Sequence, residues 1–381
     1  MESKGKVLLG LSGGVDSAVA GYLLKKEGYD VTGCFMRNWD SIANGDILGN
    51  PTLNGSKCSQ EFDYDDAEAT AKELGIPLLR VDFVKEYWDM VFSYFLAEYK
   101  EGRTPNPDVF CNKYIKFDSF RKYALEHGFP LIAMGHYAKK TVDEDGFAML
   151  YKADDRNKDQ SYFLAEINEE QLKSCLFPLH HLTKPEVRKI AEDLHLTVAK
   201  KKDSTGVCFI GERNFKPFLE NYLPAKKGPI VDISNNKVIG THDGVLFYTV
   251  GQHRGMGIGG VRGEKAEKFF VVGKDVKKNI LYVGQEPNPY MLSYKCRLKQ
   301  VNLIMKEKPA GELHINAKFR YRGKDMPVTF SYVNNEEAYL TYPGYKYVAK
   351  GQIAVLYDGD RCLGGGVIVE TYDKDGNKIP Y

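Results

Sequence analysis

The stretch KVLLGLSGGVDSAVAGYLLKKEG, residues 6–28, decides the fold of the N-terminal part of the chain. Residues 6–11 form a short apolar run that is typical of a strand buried in a parallel sheet. Two adjacent glycines follow, and over 17–27 apolar side chains recur on one helical stripe until Gly28 ends the pattern. A strand joined to a helix through a tight glycine turn predicts a domain in which strands and helices alternate.

The same alternation continues along the first third of the chain. Further strands are predicted at 31–36, 77–81 and 131–134, and further helices at 63–74, 84–99 and 112–127. This order predicts a parallel sheet with helices on both faces, whose ligands bind beyond the carboxyl ends of the strands. A hairpin is predicted at 137–152 and a helix with a capping box at 183–194.

The pattern changes after residue 208. The glycine-rich run GQHRGMGIGG (251–260) predicts a mobile loop. From about residue 282, short alternating strands such as 314–322 and 327–333 predict an all-β module, a small barrel. The expected class is therefore α/β with a parallel-sheet N-terminal domain, a small central domain and a C-terminal β-barrel. We expect their boundaries at 1–206, 207–281 and 282–381.

Composition narrows the class of protein. A chain of 381 residues is longer than a single hydrophobic core usually supports, so more than one domain is expected. Its 43% of apolar and 27% of charged residues are usual for a soluble globular protein. Because the formal net charge is only +2, an RNA-binding face would have to be a local basic patch. The sequence shows no secretory segment, presequence or membrane-spanning stretch, so we expect a cytoplasmic protein with no membrane partner.

The seven cysteines are odd in number and widely scattered. None forms a C-x-x-C pair, which argues against a zinc ribbon and a disulfide scaffold, and we expect no structural metal site. In a reducing compartment most cysteines are buried as small apolar side chains. At least five of the seven are expected to be of this inert kind. Cys58 is a weaker candidate for a catalytic cysteine than Cys111 and Cys208.

The hexapeptide SGGVDS, Ser12 to Ser17, is the strongest local signal. Its glycines allow a tight turn whose backbone N–H groups, with the helix N-terminus behind them, form an anion cradle. Asp16 would orient the turn or help to hold Mg²⁺. The Walker lysine and spacing are absent. The hexapeptide resembles the pyrophosphate loop of the ATP pyrophosphatases, which implies ATP cleavage between the α and β phosphates and leaves the substrate open.

Two cysteines stand in unusual surroundings. Cys111 follows a rigid turn with two prolines and comes just before a predicted helix, whose dipole would lower the pKa of the thiol. Asp108 would oppose that effect or exchange a proton. Cys208 comes soon after three lysines, 200–202, which we expect to stabilise a thiolate or persulfide. The spacing of the two cysteines says nothing about their distance in the fold.

Seven motifs taken together resemble the tRNA-specific 2-thiouridylases, the bacterial wobble-uridine thiolases. They occur in the order found in the family and span most of the chain. The motifs are SGGVDS (12–17), FMRNWD (35–40), GRTPNPDVFCNKYIKF (102–117), MGHYAK (134–139), KDQSYFL (158–164), DSTGVCFIGERNF (203–215) and YTVGQHRG (248–255). The resemblance implies an N-terminal pyrophosphatase-loop domain related to the adenine nucleotide alpha hydrolases. It also implies a reaction in which ATP adenylates O2 of the wobble uridine and persulfide sulfur replaces it, giving 2-thiouridine, AMP and pyrophosphate.

The resemblance also implies residue roles. Cys208 would carry the persulfide sulfur, Cys111 would release it as sulfide or end in a disulfide with Cys208, and Asp108 would act as acid or base. ATP would be bound by Gly10, Leu11, Ser12, Gly13, Gly14, Val15, Asp16, Ser17, Met36 and Gly135. The target base and tRNA would be contacted by Asn106, Pro107, Asp108, His136, Lys158, Asp159, Gln160, Arg320, Tyr321 and Gln352. The implied partners are the tRNAs for Lys, Glu and Gln and a persulfide donor protein.

Three alternatives stay open from the residues alone. The first is a small-molecule synthetase with the same loop, which needs no paired cysteines. The second is an RNA-binding protein with a decayed nucleotide loop, and the third is thiolation of another position or base. The turn-rich segment 38–62 has no predicted role beyond a mobile cover over the nucleotide.

Overall fold

The computed structural model describes residues 3–51, 59–203, 206–208, 210–211, 213–258 and 268–380. Cys58 and the end of the predicted glycine-rich loop, 259–260, lie outside these ranges. The part of that loop within them, 251–258, contains no helix or strand. Among the described residues, no helix is both long and apolar enough to cross a membrane.

The N-terminal domain contains the predicted parallel sheet, which is confirmed. Its strand order is β3-β2-β1-β4-β7. All of its pairings are parallel. The strands are β1 (Lys6–Gly10), β2 (Asp30–Arg37), β3 (Leu78–Asp82), β4 (Leu131–Ala133) and β7 (Cys175–Leu176). The first two helices are α1 (Val15–Lys26) and α2 (Ser59–Leu74). Since β1 lies at the centre, its carboxyl end and the loop that follows lie where ligands of such sheets bind.

Two longer helical segments each contain a π-helical stretch. The segment α3 covers 84–100 and is π-helical over Trp88–Phe92. The segment α4 covers 107–126 and is π-helical over Cys111–Ser119. The prediction that this helix starts after Cys111 was wrong, because Pro107 at its first position already has the backbone angle that a helix requires. Cys111 therefore lies inside the helix.

The hairpin of β5 (Ala138–Val142) and β6 (Ala148–Lys152) is confirmed, but it does not belong to the parallel sheet. Strand β6 pairs with β17 (Arg361–Tyr372) of the C-terminal domain. The helices α5 (Glu169–Lys173) and α6 (Lys184–Asp193) follow the hairpin. In α6, the backbone N–H of Thr183 donates to Glu186 at 2.7 Å, as the predicted capping box requires.

The central domain contains a short helix and a four-stranded sheet of order β10-β11-β8-β9. Its elements are α7 (Phe215–Glu220), β8 (Gly228–Asp232), β9 (Lys237–His242), β10 (Phe270–Asp275) and β11 (Ile280–Gly284). The last predicted domain boundary, before residue 282, falls within β11. A boundary predicted from the sequence pattern takes no account of which strands pair in a sheet. The three domain boundaries stay predictions.

The C-terminal domain is a closed antiparallel barrel, as predicted. Its strand order is β12-β15-β14-β13-β16-β17, and β12 also pairs with β17. The strands are β12 (Leu292–Leu303), β13 (Leu313–Lys318), β14 (Met326–Asn334), β15 (Glu337–Lys346), β16 (Ile353–Asp358) and β17. The prediction of a strand over 314–322 was too long, because β13 ends at Lys318. Arg320 and Tyr321 therefore lie in the turn that follows.

Candidate functional site

The loop between β1 and α1 has the geometry of an anion cradle. Ser17 Oγ donates to the carbonyl oxygen of Gly14 at 3.0 Å and accepts from the backbone N–H of Ser12 at 3.2 Å. Gly14 precedes α1 and brings no side chain that could cap it, so the first-turn N–H groups of α1 are left for an anion. Gly13 has a φ of +71°, which favours glycine.

Lys201 fixes this loop against α2. Its ammonium donates to the carbonyl oxygen of Gly13 at 3.0 Å and to the carboxylates of Asp63 at 2.7 Å and Asp66 at 2.6 Å. A Cβ at Gly13 would lie 2.1 Å from the carbonyl oxygen of Asp63. The loop and α2 are therefore in direct contact, with no room for a side chain between them.

Asp16, in the first turn of α1, belongs to a charged network. Its Oδ1 accepts from the hydroxyl of Tyr137 at 2.8 Å and from the ammonium of Lys184 at 2.7 Å. Lys184 also pairs with Asp203 at 2.9 Å. Lys158 and Arg188 bind the same Asp203. Partial burial would raise the pKa of the Asp203 carboxyl, but Lys158 and Lys184 hold it well below its usual range. Asp203 thus ties the chain just before the Cys208 segment to the phosphate loop.

The residues expected around adenosine lie beside this loop. Gly10 is the last residue of β1, and a Cβ there would lie 2.8 Å from the sulfur of Met134 and 3.0 Å from the methyl carbon of Met36. A Cβ at Gly135 would lie 2.9 Å from the backbone nitrogen of Ser17. Gly135 therefore allows the β4 loop to approach the start of α1 closely.

Cys111 and Cys208 are neighbours in the fold. Their sulfur atoms are 3.5 Å apart, and both thiols are free. Cys111 is buried, whereas Cys208 is partly exposed. Burial raises the pKa of Cys111 well above its ordinary value, so this thiol keeps its proton and donates it toward Cys208. The helix-dipole prediction for Cys111 was wrong in direction, since desolvation outweighs the dipole inside the segment α4.

Two hydrogen bonds hold the backbone of Cys208. Its N–H donates to Asp108 Oδ1 at 2.9 Å, and its carbonyl oxygen accepts from the hydroxyl of Tyr87 at 2.9 Å. Burial raises the pKa of Asp108, although the N–H of Cys208 and the charge of Lys116 oppose the rise. Asp108 therefore holds the Cys208 segment through its backbone, and its raised pKa is a shift in the direction that a proton donor or acceptor needs.

The cation beside Cys208 is Lys116. The hydrogen bond from Cys111, together with the charge of Lys116 and its hydrogen bond to Cys208, lowers the pKa of Cys208 against the effect of burial. The prediction that lysines 200–202 stabilise Cys208 was wrong. Lys200 and Lys202 are exposed, and Lys201 is bound to the phosphate loop.

His136 lies near both the phosphate loop and the segment α4, which carries Cys111. It follows Gly135, which contacts α1, and its ring lies 5.9 Å from that of Phe117 in the segment α4. Burial and the nearby charge of Lys116 lower the pKa of His136 well below its ordinary value. Within the described residues its buried Nδ1 has no hydrogen-bond partner. A neutral imidazole with an unpaired nitrogen is suited to a hydrogen bond with a ligand.

The loop before Asn106 is held by all three domains. The backbone N–H of Thr104 donates to the carbonyl oxygen of Lys350 at 2.8 Å, and Gln352 Nε2 donates to the carbonyl oxygen of Thr104 at 2.8 Å. The hydroxyls of Thr104 and Thr249 are 3.2 Å apart. Gln352 thus reaches this loop from the barrel, as a residue near the target base would.

Tyr162 connects Asn106 to the barrel, and Tyr321 of the barrel domain packs nearby. Asn106 hydrogen-bonds the hydroxyl of Tyr162, and Tyr162 also donates to the carbonyl oxygen of Ile353 at 2.8 Å. The ring of Tyr321 lies 4.4 Å from that of Phe163. Tyr321 is partly buried, whereas Arg320 beside it is exposed. Pro107 begins the segment α4 directly after Asn106.

The other three expected tRNA contacts are engaged within the protein. Asp159 is buried and accepts from the backbone N–H groups of Ala153 at 3.1 Å and Ser161 at 3.2 Å. Gln160 Oε1 accepts from the backbone N–H of Tyr137 at 3.0 Å. Lys158 binds Asp203 at 2.5 Å. These bonds hold the loop that follows the hairpin, and the roles in tRNA binding stay predictions.

The segment 38–51 packs against the chain that follows Cys208. Asp46 Oδ2 accepts from Arg213 at 2.9 Å and from the indole N–H of Trp39 at 3.0 Å. The side chains of Asp46 and Arg213 are only 0% and 4% exposed. The backbone N–H of Asn214 also donates to the carbonyl oxygen of Gly49 at 3.0 Å. The described part of the expected cover is therefore a support for the Cys208 segment.

Asp46→Ala is expected to lower the free energy of unfolding by about 3–5 kcal/mol, because it leaves Arg213 buried without its carboxylate. Urea unfolding followed by circular dichroism measures this change. The control is Asp89→Ala, which removes the exposed pair of Lys85 and Asp89 on α3 and should leave the midpoint unchanged. Equal midpoints for the two variants would contradict the assignment of Asp46 as a buried anchor.

Sequence analysis missed three residues of the site. Lys116 lies in the quoted motif 102–117, but its position on the cysteine side of the helix depends on a π-helical stretch that spacing does not reveal. Tyr87 and Lys184 are far from both cysteines along the chain. The buried hydroxyl of Tyr87 and the first-turn position of Lys184 are ordinary features of amphipathic and capped helices, so no sequence signal distinguished them.

Three family models match the chain in succession. They are the tRNA methyl transferase HUP domain over 5–212, the tRNA methyl transferase PRC-barrel domain over 216–285, and the aminomethyltransferase beta-barrel domain over 293–368. The first alone matches more than half of the chain.

Similar curated proteins share one name, tRNA-specific 2-thiouridylase MnmA. The chain is 51% identical to that of Mycoplasmopsis synoviae (strain 53) over 100% of this chain and 99% of the relative. It is 52% identical to that of Mycoplasma capricolum subsp. capricolum over 96% and 98%. It is 47% identical to that of Streptococcus thermophilus (strain CNRZ 1066) over 100% and 99%.

Solved structures align more loosely. A 4-thiouridine synthetase–RNA complex with bound ATP aligns with a TM-score of 0.33 and 18% identity, over 55% of this chain and 46% of that one. The NMN synthetase from Francisella tularensis aligns with a TM-score of 0.30 and 16% identity, over 53% and 67%.

Proposed function

Because the chain belongs to the tRNA-specific 2-thiouridylase family, it is a tRNA sulfurtransferase, and we propose that it uses ATP to convert the wobble uridine to 2-thiouridine. The observation that carries this proposal is the pair of thiols 3.5 Å apart, one buried and protonated and the other with a lowered pKa. A synthetase that joins an amine to an adenylate has no need of such a pair.

The first step is activation of the base. A uracil carbonyl is a poor electrophile, so O2 attacks the α-phosphorus of ATP, pyrophosphate leaves, and an O2-adenylate remains. The first-turn N–H groups of α1 and the loop 12–17 are suited to bind the phosphates. Lys184 and Lys158 lie on the same side and supply positive charge near the leaving pyrophosphate.

The residues present also fit Mg²⁺. Magnesium in nucleotide sites is held by one or two carboxylates together with substrate phosphates. Tyr137 and Lys184 both donate to Oδ1 of Asp16, and the carboxylate is 34% exposed. Asp16 would hold the ion, which would neutralise charge on the phosphates.

The target base would enter between the phosphate loop and the cysteines. It has to leave the anticodon stack, which takes about a few kcal/mol. Asn106 and the unpaired Nδ1 of His136 are suited to hydrogen-bond its edge, and Tyr321 with Gln352 would receive the neighbouring RNA from the barrel. Asp108 is close enough to Cys208 to exchange protons at the reacting centre.

The second step transfers sulfur. A donor persulfide gives its outer sulfur to the Cys208 thiolate, which becomes a persulfide while the donor leaves as a thiolate. Cys111 then loses its proton, for which Asp108 is the candidate acceptor, and attacks the Cys208 sulfur. If Cys111 attacks first, a Cys111–Cys208 disulfide forms, the outer sulfur leaves as sulfide, and the sulfide attacks C2 with AMP as leaving group. If the Cys208 persulfide attacks C2 first, AMP leaves at that point, and the attack of Cys111 then breaks the S–S bond, so that the outer sulfur stays on the base and the same disulfide forms. A thiol reductant supplies the two electrons that restore both thiols.

The finer assignments rest on this chemistry and on the family. We propose that the substrates are the tRNAs for Lys, Glu and Gln, and that sulfur comes from a cysteine desulfurase or a sulfur relay protein. The residues that we propose for these steps are Cys111, Cys208 and Asp108, the phosphate loop 12–17, and the residues named above for the target base.

The test combines purified protein, unmodified lysine tRNA, ATP, Mg²⁺ and a desulfurase with cysteine. We expect 2-thiouridine at the wobble position by mass spectrometry of digested RNA, with one AMP formed for each thionucleoside. An ATP analogue whose α–β bridge is methylene should give no product, since the bond that must break is absent. Product formed equally well with that analogue, or AMP without any thionucleoside, would contradict the proposal.

A further inference from the structure

We infer that Lys116 is the residue that keeps the Cys208 sulfur anionic, and that the π-helical stretch of the segment α4 brings it there. This inference rests on the proposed function, since it concerns the thiol that would receive sulfur. It assigns a role that neither the motif nor the phosphate loop implies.

The helix geometry makes the contact possible. In an α-helix, residues five apart point about 140° away from each other. Lys116 would then lie on a different face from Cys111. In a π-helix the hydrogen bonds run from residue i to i+5 and the helix is wider, so residues five apart lie closer to the same face than in an α-helix. The stretch Cys111–Ser119 is π-helical, and at its end the N–H of Phe120 donates to the carbonyl oxygen of Ile115.

The groups around Lys116 are those of the reacting centre. Its ammonium hydrogen-bonds the sulfur of Cys208 and is close enough to Cys111, Asp108 and His136 to interact with their charges. The N–H of Cys208 is bound to Asp108, and the S–H of Cys111 points to Cys208. Lys116 is therefore the cation of a cluster that also contains one buried thiol, one carboxyl and one imidazole.

The groups around Cys208 show what this cation offsets. Burial and Asp108 both disfavour an anion at Cys208, while the hydrogen bond from Cys111 and the charge of Lys116 favour it. Tyr87 also faces this group, with its hydroxyl bound to the Cys208 carbonyl. A persulfide anion on Cys208 would extend the negative charge by one sulfur atom, and the same ammonium would offset it. Burial lowers the pKa of His136, and the charge of Lys116 adds to that effect, so both favour the neutral imidazole.

The test measures the rate at which iodoacetamide alkylates Cys208 as a function of pH, by mass spectrometry of the Cys208 peptide. In wild type the rate should rise at a pH below that of a free cysteine, which titrates at about 8.5. Lys116→Met keeps an unbranched side chain, one atom shorter, and removes the charge. We expect its rate at pH 7 to fall about tenfold or more, and Lys116→Arg to restore most of it.

The matched control is Lys113→Met, one turn earlier in the same helix. Lys113 pairs with buried Glu166 at 3.1 Å, so its removal perturbs the helix but not the charge at Cys208. Its alkylation profile should match that of wild type. Superimposable profiles for Lys116→Met and wild type would overturn the inference.

A second measurement needs no variant at Lys116. The ultraviolet absorbance of thiolate in wild type, minus that in Cys208→Ala, gives the titration of Cys208 directly. An inflection at or above that of a free cysteine would also overturn the inference. Neither measurement uses tRNA, ATP or a sulfur donor. Failure of the thiolation assay with normal profiles would thus refute the proposed function alone.

Discussion

Cys208→Ser is expected to lower thionucleoside formation roughly 1,000-fold or more, while AMP is still formed in the presence of tRNA because water, in place of sulfur, displaces it from the O2-adenylate. A serine hydroxyl cannot accept a persulfide sulfur, so the sulfur step stops. The surrounding segments should keep their positions, because the backbone of Cys208 stays bound through its N–H to Asp108 of α4 and through its carbonyl oxygen to Tyr87 of α3. The measurement is mass spectrometry of digested tRNA beside chromatography of labelled AMP.

Cys111→Ser should fail differently. Its Cys208 keeps the neighbouring Lys116 and still receives sulfur, but no second thiol attacks the persulfide. We therefore expect a protein that carries one extra sulfur on the Cys208 peptide and gives little thionucleoside. The persulfide should disappear from the double variant Cys111→Ser, Cys208→Ser.

The control for both variants is Cys296→Ala. Cys296 is buried in strand β12 of the barrel, and desolvation raises its pKa to about 12, so it is an inert thiol. Its removal should leave thiolation unchanged. Full activity in Cys208→Ser, or equal loss in Cys296→Ala, would show that the pair of thiols is not the sulfur centre.

Much of this site could be predicted because its parts are local in sequence. The turn of SGGVDS depends on adjacent glycines between a strand and a helix, and that context is visible in a run such as 6–28. The alternation of strands and helices likewise predicted the parallel sheet, whose central strand carries the loop.

The parts that were missed depend on contacts between distant segments. Strand β6 pairs with β17 of the barrel. The free edge of a strand can pair with any other free edge, so the local sequence does not identify the partner. The partner of Cys208 was expected among lysines 200–202, which are near in sequence. In the structure Lys201 instead binds the phosphate loop and Lys116 contacts the Cys208 sulfur. Which lysine reaches the sulfur depends on the helix face that carries it and on the reach of its side chain, not on its distance along the chain.

The electrostatic prediction at Cys111 failed for a related reason. The helix dipole acts on groups at the first turn, and its effect is a fraction of a pKa unit to about one or two units. Full burial can shift a pKa by several units in the opposite direction. Sequence gives the position of a cysteine relative to a helix start more readily than its burial, so the smaller effect was visible and the larger one was not.

Gly13→Ala is expected to lower ATP-dependent AMP formation about 100-fold or more, since a displacement of about 1 Å at a positioned substrate has that effect. The new Cβ would lie 2.1 Å from the carbonyl oxygen of Asp63, so the loop or α2 must move. Movement of the loop also breaks the bond from Lys201 to Gly13, which fixes the cradle. Labelled AMP formation and nucleotide binding measure the loss.

Gly28→Ala is the matched control, because it separates backbone strain from displacement of the cradle. Gly28 has a φ of +93°, yet a Cβ there would meet nothing within 4 Å. Both variants place alanine in the left-handed region, and that backbone strain alone is of the order of 1–2 kcal/mol in each. Only Gly13→Ala should lose AMP formation. If both variants form AMP at the wild-type rate, the phosphates do not bind against the loop 12–17. If both lose it equally, the loss reflects stability and not the geometry of the cradle.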